Sequence, residues 1–171
     1  MTGVQTCALP IWLTGAHAYA QGRVAAVNIT GGDLAYDPVW VPWGMVAGDY
    51  TIGGFSIGET LATAMGVPYV VAKGVGVSRA RYFPGATRTN VKLLAEPDTL
   101  KIIGAQIHGG EGVKERADFL AFAAKRGATL NDLAWMENIY SPPIGALFEP
   151  MAIAAQNGLA ELRKRAEVGT T

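Results

Sequence analysis

Two apolar, strand-like runs, Asn90 to Ala95 and Leu100 to Gln106, stand either side of Glu96-Pro97-Asp98-Thr99. Pro97 presets the backbone of the second turn position and Asp98 suits the third, so the runs are expected to pair as an antiparallel β-hairpin. The rest of the chain has to be fitted around that pair. Upstream, Pro68 opens a β-branched run, Tyr69 to Val77, which reads as a strand loosened by Gly74 and Gly76. Before it, Gly58 to Gly66 reads as a short helix with Leu61 and Met65 facing inward. Downstream, Val113, Ala117, Leu120 and Ala124 form one stripe of a helix that stops at Gly127. Thr129 is the expected N-cap of a further short helix, with Asp132 at the third position of a capping box. Met151, Ala155, Leu159 and Leu162 stripe a final helix, and Arg163, Lys164 and Arg165 suit its negative end. Strands first and helices last predict an α+β fold, an antiparallel sheet with helices packed on one face. Near the start, Ala20, Val24 and Val27 recur at helical spacing between Ala16 and Ile29, and Gly31-Gly32 is the expected stop. Residues 33 to 49, with Pro38, Pro42, Gly44 and Gly48 among large apolar groups, read as a connector.

Composition narrows the partners. Half the residues are hydrophobic and 16% are charged, which suits a packed core and excludes disorder. Fourteen basic residues balance fourteen acidic ones. No basic stripe invites nucleic acid, and no apolar stretch runs long enough to span a bilayer, so neither partner is expected. The chain is read as cytoplasmic.

Met1 to Ile11 resembles a translated sequencing adapter, and residues 1–12 are expected to be non-native and to pack on nothing specific. Cys7, the single cysteine, lies there. The remainder then holds no thiol, which excludes an internal disulfide, a thiolate metal site and a cysteine nucleophile.

Several motif-like patterns fail on their chemistry. Gly53 to Thr60 has P-loop glycine spacing, but Glu59 stands where a lysine must reach phosphate. Gly74-Val75-Gly76 lacks the third glycine of a dinucleotide fingerprint. His17 and His108 have no partner at metal-ligand spacing, so no metal is expected. Asn28-Ile29-Thr30 fits the glycosylation pattern but sits at a helix end.

Tyr140-Ser141-Pro142-Pro143 lies between two helical stretches. Each proline fixes its own backbone and extends the residue before it, so the segment is a rigid turn able to hold a phenol in place. Fixed placement is what general acid work requires. The region from Gly104 to Leu159 around this turn resembles the C-terminal dimerisation domain of the flavin-dependent pyridine nucleotide-disulfide oxidoreductases. Ala20 to Ile29 resembles the last helix of that family's FAD domain. On this resemblance, residues 13–49 are the end of the FAD domain with its connector, and residues 50–171 are the dimerisation domain. A tyrosine followed by prolines is the pattern of the single-cysteine members, such as coenzyme A-disulfide reductase and the NADH oxidases. Members with two cysteines carry a histidine-proline pair instead.

The resemblance implies roles for particular residues. Tyr140 would reach across a homodimer to the partner's flavin and redox sulfur as a proton-transfer group. A tyrosine packed on its own prolines is the alternative. Arg81-Tyr82-Phe83-Pro84-Gly85 resembles a segment whose tyrosine also faces the partner's active site, which makes Tyr82 the second candidate. Otherwise Tyr82 is an aromatic before a Pro-Gly turn. Ala20, Gln21 and Gly22 would meet FAD, with helix-start amides facing the ring and Gly22 giving room. Together these imply electron flow from NAD(P)H through FAD to a disulfide, a persulfide or oxygen. Two alternatives stand beside it. One is a two-cysteine reductase resembling the mercuric or dihydrolipoamide reductases. The other is a catalytically inert dimerisation module.

Overall fold

In a computed structural model of the chain, the described residues are 15–168. The expectations for the adapter-like segment, Cys7 and Trp12 lie outside them. The chain divides into two compact units between Val41 and Pro42.

The first unit carries α1 (Gly15–Ile29), which buries none of its side chains. Its end is closed much as the glycines imply. Gly31 takes a left-handed φ of 93°, and the Gly32 amide donates back to the Val27 carbonyl at 2.9 Å. Asn28 clasps the chain beyond, its side chain bonded to both the amide and the carbonyl of Leu34. That internal role absorbs the asparagine of the glycosylation pattern.

The second unit is a five-stranded antiparallel sheet in the order β1-β2-β5-β4-β3. Its strands are β1 (Pro42–Ala47), β2 (Tyr50–Ser56), β3 (Val70–Val77), β4 (Arg88–Ala95) and β5 (Ile102–Gly109). The expected hairpin is β4–β5, but its turn is longer than expected. Leu100 adopts a left-handed φ of 57° and the Glu96 amide bonds the Lys101 carbonyl, so β5 begins at Ile102.

The connector reading is corrected over Pro42–Ala47, which is an edge strand. Proline is tolerated there because an edge strand's first residue owes no bond to the ladder. Gly48, at φ 60°, turns that strand tightly into β2. The rejected P-loop glycines, Gly53 and Gly54, lie inside β2.

Alternation sorts the sheet into two faces. In β3, Ala72, Gly74 and Gly76 are buried while Lys73 and Val75 are not. The buried positions lie under α5 (Pro150–Val168). A methyl on Gly74 would run into the backbone of Ala154, and one on Gly158 into Ala72, so strand and helix approach to backbone distance. The helix α3 (Val113–Lys125) covers β2 and β5 with the expected residues Val113, Ala117, Leu120 and Ala124, all buried. The capping box forms as expected at the start of α4 (Leu130–Ala134). The Thr129 side chain accepts from the Asp132 amide, and the Asp132 carboxylate accepts from the Thr129 amide and hydroxyl. Those bonds, the backbone one first, hold the Asp132 carboxyl below its ordinary range.

The short helix α2 (Glu59–Ala64) is corrected in its facing: Ala62 is its buried residue and Met65 is exposed. Its Glu59 reaches Lys73 and Lys92, cross-strand partners on the side of the sheet away from α5.

Candidate functional site

Two loops of the second unit meet at the candidate tyrosines. The first joins β3 to β4 and is latched at its base. Ser78 donates its amide to the Thr87 carbonyl at 2.9 Å, and the Ser78 hydroxyl oxygen accepts from the Thr87 amide and hydroxyl, both at 3.0 Å. Within the latch, Phe83 bonds back to Ala80 at 2.9 Å and Gly85 takes a φ of 79°, which leaves Tyr82 at the loop's tip.

The second loop runs from α4 to α5 and closes on itself. The amides of Ile144 and Gly145 both bond the Ser141 carbonyl, at 3.0 and 2.9 Å, and the Asn138 side chain donates to the Ala146 carbonyl at 3.1 Å. A side chain at Gly145 would strike the Ile139 carbonyl, so the loop has no slack there. Pro142 and Pro143 stiffen the turn between. The loops are tied by the Ala80 amide, which donates to the Pro142 carbonyl at 3.2 Å.

The consequence is a pair of phenols. Tyr82 and Tyr140, 58 residues apart in sequence, place their hydroxyl oxygens 3.1 Å apart. Tyr82 is 75% exposed and Tyr140 is 49% exposed, so neither aromatic is spent on the core. The hydrogen bond to Tyr140 holds the Tyr82 phenol above its ordinary value of 10.0, with slight desolvation and the neighbouring charge acting in the same direction. Whatever this bond adds to folding is therefore full below pH 10 and fades as pH rises through the raised value. Ultraviolet titration of tyrosinate should show a late-ionising phenol in the native chain. In Tyr140→Phe that phenol should ionise at lower pH; an unaltered curve would mean that Tyr140 does not govern Tyr82.

The flavin candidates lie elsewhere, on α1. Gln21 and Gly22 fall inside that helix with more than a full turn ahead of them, so their amides belong to its hydrogen-bond ladder. The helix-start argument for them is corrected: no unpaired amide faces outward there. What remains is room, since nothing lies within 4 Å of where a Gly22 side chain would begin. Gly22 thus leaves open space on its side of α1.

The histidines have local partners, His17 with the Tyr36 hydroxyl at 2.8 Å and His108 against the Tyr50 ring at 4.7 Å. Among the described residues, no cluster of side chains could hold a metal ion, and no helix is long and apolar enough to cross a membrane.

Sequence reasoning missed two features around the tyrosine loop. One is the ion pair of Arg116 with Glu149, at 2.6 Å from Nε and 3.0 Å from Nη2, which ties α3 to the residue just before α5. The other is the outward side of α3. Phe119 and Phe122 stand off the buried stripe and are exposed, together with Trp135, Ile139, Ile144, Leu147 and Phe148. Phenylalanine on what ought to be the polar side of a helix was the available signal. Met151, on the expected stripe of the final helix, is buried.

An antiparallel sheet backed by α3 and α5, with a stiff tyrosine loop between the last helices, defines a dimerisation domain. The chain belongs to the pyridine nucleotide-disulphide oxidoreductases, whose dimerisation-domain family model matches residues 44–152. It is similar to the NADH oxidase of Methanocaldococcus jannaschii, 34% identical over 151 residues, which are 88% of this chain and 34% of that protein. It is also similar to the coenzyme A disulfide reductase of Staphylococcus epidermidis, 30% identical over 56% of this chain and 21% of that protein. Among solved structures, an NAD-dependent persulfide reductase from A. fulgidus superposes with a TM-score of 0.80 at 30% identity. That match takes in 90% of this chain and 28% of the other. The chain spans about a third or less of the length of these relatives.

Proposed function

We propose that this chain is the C-terminal part of a homodimeric flavoprotein that passes electrons from NAD(P)H through FAD to a disulfide, a persulfide or oxygen. In this reading the first unit is the end of the FAD domain, and the second supplies the dimer interface. Tyr140 and Tyr82 are offered to the partner subunit's active site. The observation that carries the reading is the phenol pair, two loops far apart in sequence stiffened to hold two exposed hydroxyls in contact. A core or rim aromatic would need neither the latch at Ser78 nor the tie at Pro142.

FAD, when bound, supplies the electron relay. The residues of this chain would handle protons and position. In a hydrogen-bonded pair of neutral phenols, one hydroxyl donates to the other, and one O–H remains directed outward. Tyr140 would give that proton to a leaving sulfur or oxygen, and Tyr82, held neutral to higher pH, would keep Tyr140 oriented. The tyrosine loop also exposes Ile139, Ile144, Leu147 and Phe148, and α3 exposes Phe119 and Phe122, apolar groups of the kind that mark an interaction surface. A second copy would cover it, and two-fold pairing would build two equal sites.

The relatives named NADH oxidase, coenzyme A disulfide reductase and persulfide reductase support the choice of acceptors. The longer protein that carries this chain should purify yellow and oxidise NAD(P)H with at least one of the three acceptors. A colourless full-length protein, inert toward all three, would overturn the reading. The 171-residue chain alone should be colourless after desalting.

A further inference from the structure

A cleft of about 500 Å³ opens between the start of α3, the loop from α4 to α5 and the base of the β3–β4 loop. Its walls are partly apolar, with Phe119, Met136, Ile144 and the buried Met151. Four carboxylates and two guanidiniums also line it, and both guanidiniums are spent. Arg116 is forked on Glu149, and Arg79 is bonded to Glu111. Glu115 and Glu137 have no ion-pair partner among the described residues. Lys114, which senses Glu115, is bonded instead to Asp118 at 2.7 Å.

We propose that this cleft is the socket of the two-fold interface, and that it receives an arginine or lysine side chain from a second copy of this chain between Glu115 and Glu137. The proposal rests on the dimer reading above. Phe119 and Ile144 belong both to the cleft wall and to the exposed apolar surface, so whatever covers that surface also closes the cleft. Closing it removes water from two carboxylates. Left unpaired in a dry interface, they would oppose the apolar burial that drives association. A cation entering with the second copy resolves this. The methylenes of an arginine or lysine can lie along Phe119, Met136 and Ile144 while the charged head reaches the carboxylates. Arginine is also among the side chains enriched in interface cores. Two-fold symmetry makes two such sockets per dimer.

The test is sedimentation equilibrium of the full-length protein, wild type and E115Q/E137Q, from about 0.05 to about 0.5 M salt. Glutamine keeps size and hydrogen bonding and removes only charge. Both sites are exposed in the single chain, and thermal melts would verify that the variant folds. With the socket filled by a cation, the double variant should dimerise at least about tenfold more weakly, and the wild-type dimer should weaken as salt rises. A double variant that dimerises equally or more tightly, or a wild-type dimer indifferent to salt, overturns the socket while the dimer stands. Phe122→Ala, on the exposed side of α3 and outside the cleft, should weaken the dimer in either case and so reports on the surface alone. A wild-type chain that stays monomeric at every concentration removes the dimer reading and the socket with it.

Discussion

Tyr140→Phe in the full-length protein should slow turnover by about 10²-fold, at the low end for loss of a general acid. The reason for the low end is Tyr82, whose hydroxyl stands 3.1 Å from that of Tyr140 and can carry part of the proton traffic. Tyr82→Phe should cost less, because it removes the orienting partner and leaves the donor. The double variant should fall further than either. Flavin content and dimerisation should be unchanged in all three, since each substitution deletes one exposed oxygen and leaves the prolines and the latch in place. Steady-state rates across pH, read beside the flavin absorbance, separate these outcomes. Unchanged turnover at every pH in Tyr140→Phe would reduce that tyrosine to a packing residue.

The two tyrosines were legible in the sequence one by one, and their contact was not. Pro142-Pro143 and Pro84-Gly85 announce stiff turns because they restrict the backbone locally. Nothing local says that those turns meet; that depends on β3 and β4 lying next to the helix that follows the tyrosine loop. The same division runs through the fold. The β4–β5 hairpin, the capping box at Thr129 and the stripe of α3 could be read because turn, cap and periodicity act within a few residues. The edge strand β1 could not, since its proline and glycines look like a connector until Pro42 is seen at a strand's first position, beside β2. Met65, expected inside, lies in solvent for a related reason. Methionine is apolar enough to be expected inside, and flexible enough to sit at a helix end in solvent. The helix-start argument for Gln21 and Gly22 failed on a boundary, the least secure part of any periodicity reading: α1 begins at Gly15, and amides that would be free at its start are bonded in its middle.

Arg116→Met should carry the largest cost in stability, about 2–4 kcal/mol, and denaturant unfolding of the 171-residue chain would measure it. Arg116 and Glu149 are only 11% and 12% exposed, so neither charge can turn to water when the other is removed. The fork is close to ideal in geometry, and Arg116 Nη1 also donates to the Gly112 carbonyl at 3.1 Å, where α3 begins. Methionine preserves the stem and its packing, which isolates the loss of the guanidinium. The carboxylate it strands lies at the start of α5 and closes the segment that carries Tyr140. Adding Glu149→Leu should restore most of the stability, because two apolar groups in a partly apolar cleft leave no charge behind. The double variant also tests what the pair is for. With stability restored and the fork absent, a Tyr82 phenol that ionises at lower pH would show that the ion pair positions the tyrosine loop. An unaltered Tyr82 titration would confine its role to joining α3 and α5. A loss below about 1 kcal/mol in Arg116→Met, the range of exposed pairs, would mean that water reaches the cleft freely in solution.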